Sequence, residues 1–144
     1  MPRFIRPILA VVLGFVIGSA VNMAFIMLSG KVIAPPAGAD VASMDGLTAS
    51  IHLFEPKHFI FPFLAHAVGT MVGAFVATML VRRVSATPAY VVGGLFLLGG
   101  IANAVMLPAP TWFTAADLLL AYLPAAWLGH NLAMRTSRRA ASVG

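Results

Sequence analysis

The sequence contains no cysteine and very little charge of either sign. Nine basic and four acidic residues make up 9% of its 144 residues, against about 25% in an average soluble domain. Without cysteine the chain can form neither a disulfide nor a thiolate metal site. It also lacks a nucleophile elbow, a P-loop and a zinc-protease helix motif, so we expect neither an enzyme nor a bound cofactor.

Apolar residues are correspondingly abundant. They make up 60% of the chain, which has a mean hydropathy of +0.97. A soluble chain of this length cannot bury so much apolar surface, because too much of its volume lies near the outside. We therefore expect an integral membrane protein whose partner is the lipid bilayer. A net charge of +5 could indicate a nucleic-acid-binding protein. The basic residues are scattered beside apolar segments, however, so we expect no nucleic-acid partner.

Four apolar segments are long enough to cross a hydrocarbon core of about 30 Å, at roughly 1.5 Å per helical residue. We predict transmembrane helices over residues 7–28, 59–83, 89–107 and 113–134. Residues 1–144 then form a single all-α, four-helix membrane bundle. A proline in the last segment predicts a kink between Leu120 and Pro124. The first apolar run exceeds a signal-peptide core, so we interpret it as a retained helix.

Small residues recur at every fourth position of the first two helices and as pairs in the third. This spacing places them on one face, where a neighbouring backbone can approach closely. The residues predicted at helix contacts are Gly14, Gly18, Ala65, Gly69, Gly73, Ala77, Gly99 and Gly100. Residues 18–22 also resemble residues 99–103, which either a pseudo-twofold repeat of two helical hairpins or chance similarity explains.

Seven of the nine basic residues fall on one side of the predicted bundle. They are Arg3, Arg6, Arg82, Arg83, Arg135, Arg138 and Arg139. By the positive-inside rule, both termini and the basic tail 135–144 are cytoplasmic in a cell (inner) membrane. Residues 30–58 then form an external loop.

That loop carries an apolar stripe typical of a short amphipathic helix. The stripe consists of Met44, Leu47, Ile51 and Phe54. Ser43 is a suitable N-cap and Glu55-Pro56 a suitable end. We predict that this helix lies in the membrane interface, and the alternative is a loosely ordered loop.

Each predicted transmembrane helix places one polar side chain in the outer half of the bilayer: Asn22, His66, Asn103 and Asp117. An intramembrane charge costs about 2.5–3.5 kcal/mol on insertion scales, so such groups usually face a partner or a cavity. We hypothesise an outward-facing pocket in which His66 and Asp117 exchange a proton. His52, Glu55 and His58 are candidates for a lid.

Structural explanations exist for the same residues. Thr114 and Asp117 have capping-box spacing, so Asp117 is alternatively a helix cap. His66 and the two asparagines are alternatively hydrogen bonds between helices. The spacing of the histidines matches no metal-ligand motif, and we expect no metal site.

The length and helix number are similar to those of small multidrug carriers and of fluoride channels. The carriers depend on an acid in the first helix, where this chain has Asn22, and residues 99–103 do not reproduce the channels' third-helix pattern. No family motif is therefore carried over. We expect a transporter or channel-like protein that assembles as a homo-oligomer, and the alternative is an accessory subunit that docks another membrane protein.

Overall fold

The computed structural model describes residues 4–81 and 85–143, and all regular structure in those ranges is helical. The helices are α1 (Ile5–Val32), α2 (Met44–Ser50), α3 (Ile60–Val81), α4 (Thr87–Met106), α5 (Thr111–Leu120) and α6 (Leu123–Val143). Two short 3-10 turns, Ile51–Leu53 and Pro56–Phe59, precede α3. The all-α prediction is confirmed.

Three helices in the described ranges are long and apolar enough to cross a membrane. They are Ile5–Val32, Pro56–Val81 (α3 with the turn before it) and Thr87–Met106, and 18-residue stretches within them have mean hydropathies of 2.3, 1.8 and 1.8. They correspond to the first three predicted segments. Their length and composition support a membrane location.

The fourth predicted segment is divided between α5 and α6 rather than forming one helix. The break falls at Ala121 and Tyr122, inside the stretch where a kink was predicted. Pro124 explains it, because proline has no N–H to donate and its ring clashes with the carbonyl of residue 120. The N–H of Ala121 donates to the carbonyl of Asp117 over 2.9 Å and closes the last turn of α5.

The predicted end of the last helix at residue 134 is wrong. α6 continues to Val143, so the segment predicted as a basic tail is helical over the residues described. Straight-chain and small residues dominate this extension, and they favour helix when nothing interrupts it. Its three arginines, Arg135, Arg138 and Arg139, are exposed.

Helix α3 lies at the centre of the molecule, packed against α1, α4 and α6. Its contact with α1 is made by two glycine pairs, which we call the glycine interface: Gly14 with Gly73, and Gly18 with Gly69. A Cβ atom built on Gly14 or Gly18 would lie 2.5 Å from the carbonyl oxygen of the opposite glycine. The two backbones touch, so no larger residue fits at these positions.

Other small residues join α3 to α4 and α6. Ala74, Ala89 and Ala126, one from each helix, form a fully buried cluster. Gly129 of α6 lies directly against the backbone of α3 at Met71. Close packing therefore surrounds α3 where it faces α1, α4 and α6. Polar side chains occupy a few separate positions between these helices.

The external loop contains the predicted short helix. Ser43 caps α2, accepting a hydrogen bond from the N–H of Gly46 over 3.0 Å. The helix ends at Ser50, earlier than predicted, and continues as a 3-10 turn. Ile51, Phe59 and Phe113 form an apolar cluster that joins this loop to the start of α3 and α5. The position of α2 in a membrane interface stays a prediction.

Arg6 links the beginning of α1 to the end of α3, since its Nε donates to the carbonyl of Leu80 over 2.9 Å. Of the basic residues predicted near the start of α1 and the end of α3, the structure therefore describes Arg6. Arg3, Arg82 and Arg83 lie outside the described residues. The cytoplasmic orientation of the termini stays a prediction.

Candidate functional site

An imidazole, a carboxylate and a phenol from different parts of the chain meet inside the molecule. Nδ1 of His66 lies 2.8 Å and 3.0 Å from the two carboxylate oxygens of Asp117. The hydroxyl of Tyr122 donates to Oδ2 of Asp117 over 2.8 Å and lies 3.0 Å from Nδ1 of His66. We call these three residues the polar triad. It links α3 to α5 and to the break before α6.

The polar triad is largely shielded from its surroundings. The side chains of Asp117 and His66 are 6% and 16% exposed, and Tyr122 is fully buried. A carboxylate only accepts hydrogen bonds, and the phenol already donates its hydrogen to Asp117. With Asp117 ionised, the hydrogen between His66 and Asp117 therefore lies on Nδ1 of the imidazole.

The hydrogen bonds of His66 within the described ranges all involve Nδ1. Its other ring nitrogen, Nε2, is thus left for a further partner. When the imidazole is neutral and Nδ1 carries the hydrogen, Nε2 is an acceptor, and when it is protonated, Nε2 is a donor. An acid that fixes one nitrogen of a histidine and leaves the other free prepares the histidine to take up and release a proton.

The break between α5 and α6 is what brings Tyr122 to Asp117. In a continuous helix, residues five apart point about 140° away from each other, at about 100° per residue. Here the helix ends between them, and their side chains meet. Pro124 therefore shapes the site indirectly, because it interrupts the helix between Asp117 and the residues that follow Tyr122.

The interpretation of Asp117 as a helix cap is wrong. Helix α5 begins at Thr111, so Asp117 lies in its second turn, and no side chain caps that helix. The carboxylate is bound to His66 and Tyr122 instead. The signal for a cap was spacing alone, and it failed because the N-cap of the helix is Pro110, four residues before Thr114.

A cavity of about 220 Å³ lies beside the triad, bounded by α1, α3, α4 and the break between α5 and α6. We call it the pocket. It is lined by Phe15, Asn22, His66, Leu95, Phe96, Gly99, Gly100, Asn103 and Tyr122. Three of the four predicted polar residues thus share one pocket. The fourth, Asp117, does not line it and is connected to it through His66 and Tyr122.

Two residues of the pocket have unusual surroundings. The Oδ1 atom of Asn22 is buried and has no hydrogen-bond partner among the described residues. Gly99, predicted as a helix contact, is exposed, and a Cβ atom there would meet nothing within 4 Å. The prediction for Gly99 is therefore wrong, because the pocket occupies the space where a neighbouring helix was expected. Gly100 does pack, directly against the ring of Tyr122.

The three residues predicted as a lid have no hydrogen bond to the triad in the described part of the chain. His58 is buried in the loop, where Nδ1 accepts from the N–H of Glu55 over 2.9 Å and Nε2 lies 3.2 Å from the carbonyl of Ala34. His52 is exposed. Glu55 pairs with Lys57 over 2.9 Å. This hydrogen bond and the charge of Lys57 hold the pKa of Glu55 below its usual value.

These contacts give His58 a structural role in holding the loop together, and the lid stays a prediction for His52 and Glu55. Within residues 4–81 and 85–143, no group of three histidine or acidic side chains is placed to hold a metal ion. Another histidine, His130 of α6, also contacts α3 but farther along that helix, with Nδ1 3.3 Å from the hydroxyl of Thr78.

The chain matches no protein-family model, no curated protein and no solved structure. The chemistry of the site therefore rests on its own geometry.

Tyr122 is the member of the site that sequence reasoning missed. A helical wheel drawn through residues 113–134 separates it from Asp117, which hid the contact. The available signal was a hydroxyl-bearing residue in an apolar segment two positions before Pro124, where a helix is expected to be interrupted.

Proposed function

We propose that this chain is a small multi-pass transporter or channel-like protein with a polar pocket in the outer half of a four-helix bundle. In this proposal α1, α3 and α4 each cross the membrane, and α5 with the first part of α6 forms the fourth crossing. The three long apolar helices support a membrane location. Because the chain is not helical between α5 and α6, the proposed fourth crossing is a discontinuous helix. Discontinuous helices are a feature of transporter binding sites.

One observation carries the proposal: a buried carboxylate is bonded to a histidine that also lines a pocket. Asp117 is 4% exposed, and its partner His66 borders a space of about 220 Å³ together with two asparagines. Charged groups inside a membrane protein usually face partners, cavities or ion pathways. His66 is the group through which protonation can reach the pocket, since imidazole titrates near neutral pH.

The proposed location is a cell (inner) membrane with both termini in the cytoplasm. The exposed arginines of α6 and the contact of Arg6 with the end of α3 support it, because basic residues concentrate on the cytoplasmic side. The pocket then faces the opposite side, near the external loop.

A liposome assay tests the proposal. Purified protein is reconstituted with a pH-sensitive dye inside, and proton entry is driven by a potassium gradient with valinomycin. We expect Asp117→Asn and His66→Ala to reduce the flux at least about tenfold, because each removes a member of the titrating pair. His130→Ala is the matched control and should change it less than about twofold. Equal flux in all four proteins would contradict the proposal.

A second candidate, a structural or accessory membrane subunit, is favoured by the completeness of the triad. Both oxygens of Asp117 are already bonded, so the triad can act purely as a tie between α3 and the α5–α6 region. Crosslinking in native membranes tests this candidate. Recovery of a distinct membrane protein in stoichiometric amount would support it, and adducts of the chain with itself alone would support a homo-oligomer.

A further inference from the structure

The residues that line the pocket include no lysine and no arginine. The titratable groups at His66 are Asp117 from α5 and Tyr122 from the break between α5 and α6, while α1 and α4 contribute the uncharged Asn22 and Asn103. The formal charge nearest to this side of the pocket is therefore the carboxylate of Asp117. A carboxylate in an apolar interior needs a compensating positive charge.

Two hydrogen-bond acceptors on residues that line the pocket have no donor in the described part of the chain. One is Oδ1 of Asn22, which is buried and unbonded. The other is Nε2 of His66 in its neutral form, because Asp117 keeps the ring hydrogen on Nδ1. A ligand that supplies several N–H groups and a positive charge meets both requirements.

The size and walls of the pocket limit the rest of such a ligand. Its volume of about 220 Å³ exceeds the roughly 150 Å³ of an engineered cavity that holds one benzene molecule. Phe15 and Phe96 form one wall, with ring centroids 5.0 Å apart. Aromatic faces attract both cations and other aromatic rings. One ring with a short aminoalkyl arm fits these dimensions.

We propose that the pocket binds a small aryl-alkyl primary amine as its ammonium ion, in exchange for the proton that His66 holds. The inference rests on the proposed function and names its ligand class. In the empty state, imidazolium and carboxylate neutralise each other. When the ammonium enters, His66 releases the proton on Nε2 to the outer solution, and the freed lone pair accepts an N–H of the ligand. One positive charge leaves and one arrives.

Benzylamine is a suitable probe, with benzyl alcohol and phenylacetate as uncharged and anionic counterparts. Calorimetric titration of the protein in nanodiscs, in two buffers of different ionisation enthalpy, counts the protons released. We expect benzylamine binding with up to one proton released, and affinity that falls as the pH is lowered, because protons then compete with the ammonium ion for the site. Equal binding of benzyl alcohol, or tighter binding of phenylacetate, would overturn the inference.

Two glycines of α4 provide a matched pair of variants. Gly99 lines the pocket and Gly94 does not, and a Cβ atom at either would meet nothing within 4 Å. We expect Gly99→Leu to weaken benzylamine binding at least about tenfold and Gly94→Leu to change it less than about twofold. Equal affinities would place the ligand elsewhere and overturn the inference.

His66→Gln separates the exchange from simple binding. Glutamine retains an amide that can reach the pocket but cannot titrate, so benzylamine should bind to this variant without proton release. Proton release that persists in His66→Gln would overturn the exchange. If proton flux depends on Asp117 but benzylamine does not bind, the ligand class is wrong and the proposed function stands. If the flux is also independent of Asp117, both fail.

Discussion

His66 and His130 both use Nδ1 to contact a side chain on another helix, but only His66 has an acid as its partner. His66 meets Asp117 at 2.8 Å, and His130 lies 3.3 Å from the hydroxyl of Thr78. That hydroxyl donates to the carbonyl of Ala74, so it can only accept from His130. The two contacts lie about 18 Å apart along α3, at roughly 1.5 Å per residue.

The comparison shows what the acid adds. Asp117 fixes the hydrogen position and orientation of one ring and supplies a charge that protonation can balance. The same ring borders the pocket, whereas His130 is not among the lining residues. Between the two histidines lie the buried cluster of Ala74, Ala89 and Ala126 and the hydroxyl of Thr70, which has no hydrogen-bond partner among the described residues. A contact with α3 through Nδ1 therefore does not give the two histidines the same chemistry.

The largest expected difference between the two contacts is in stability. We predict that Asp117→Leu lowers the free energy of unfolding by about 2–4 kcal/mol, because His66 and Tyr122 lose a charged acceptor while buried. Thr78→Val should cost less than about 1 kcal/mol, since hydrogen bonds between membrane helices average about 0.6 kcal/mol. Unfolding in mixed micelles by SDS titration measures both values. Similar losses would make the two contacts equivalent.

Removing the phenol hydroxyl should have an intermediate effect. Tyr122→Phe keeps the ring against Gly100 and the His66–Asp117 bond, but deletes the donor to Oδ2. We expect a loss of about 0.6–1.7 kcal/mol, the range measured for single hydrogen bonds between membrane helices. Tyr90→Phe is the control, as Tyr90 is 41% exposed. A loss in the control as large as in Tyr122→Phe would assign the effect to tyrosine in general.

The smallest effect is expected at Thr70, one turn along α3 from His66. Its hydroxyl oxygen is buried without a hydrogen-bond partner among the described residues. Thr70→Val replaces it with a methyl group of similar shape, so the free energy of unfolding should stay unchanged or rise by up to about 1 kcal/mol. The same SDS titration applies. A clear loss would show that Thr70 holds a buried water, as unsatisfied polar groups often do.

The parts of the molecule that could be predicted from the sequence depend on helical periodicity and on the cost of buried charge. The helices, the cap at Ser43 and the place of the break all follow from such signals. The sequence also indicated that His66 and Asp117 are close, because each lies near the outer end of an apolar segment and has few other partners available.

The rest depended on features that the sequence does not display. Tyr122 could not be placed, because a helical wheel fails across the break at Ala121. The space beside Gly99 depends on the angle between α1 and α4, which small residues allow but do not set. The role of His58 depends on Ala34, which is distant in the sequence and offers only a backbone carbonyl.

The glycine interface has a consequence for synthesis. All four of its residues lie within the first 73 positions, and both helices that carry it end before residue 82. Nascent α1 and α3 can therefore pair as soon as α3 has emerged from the ribosome, before α4 has emerged. The later helices then add to a finished hairpin, and the triad assembles only after residue 122 has been made.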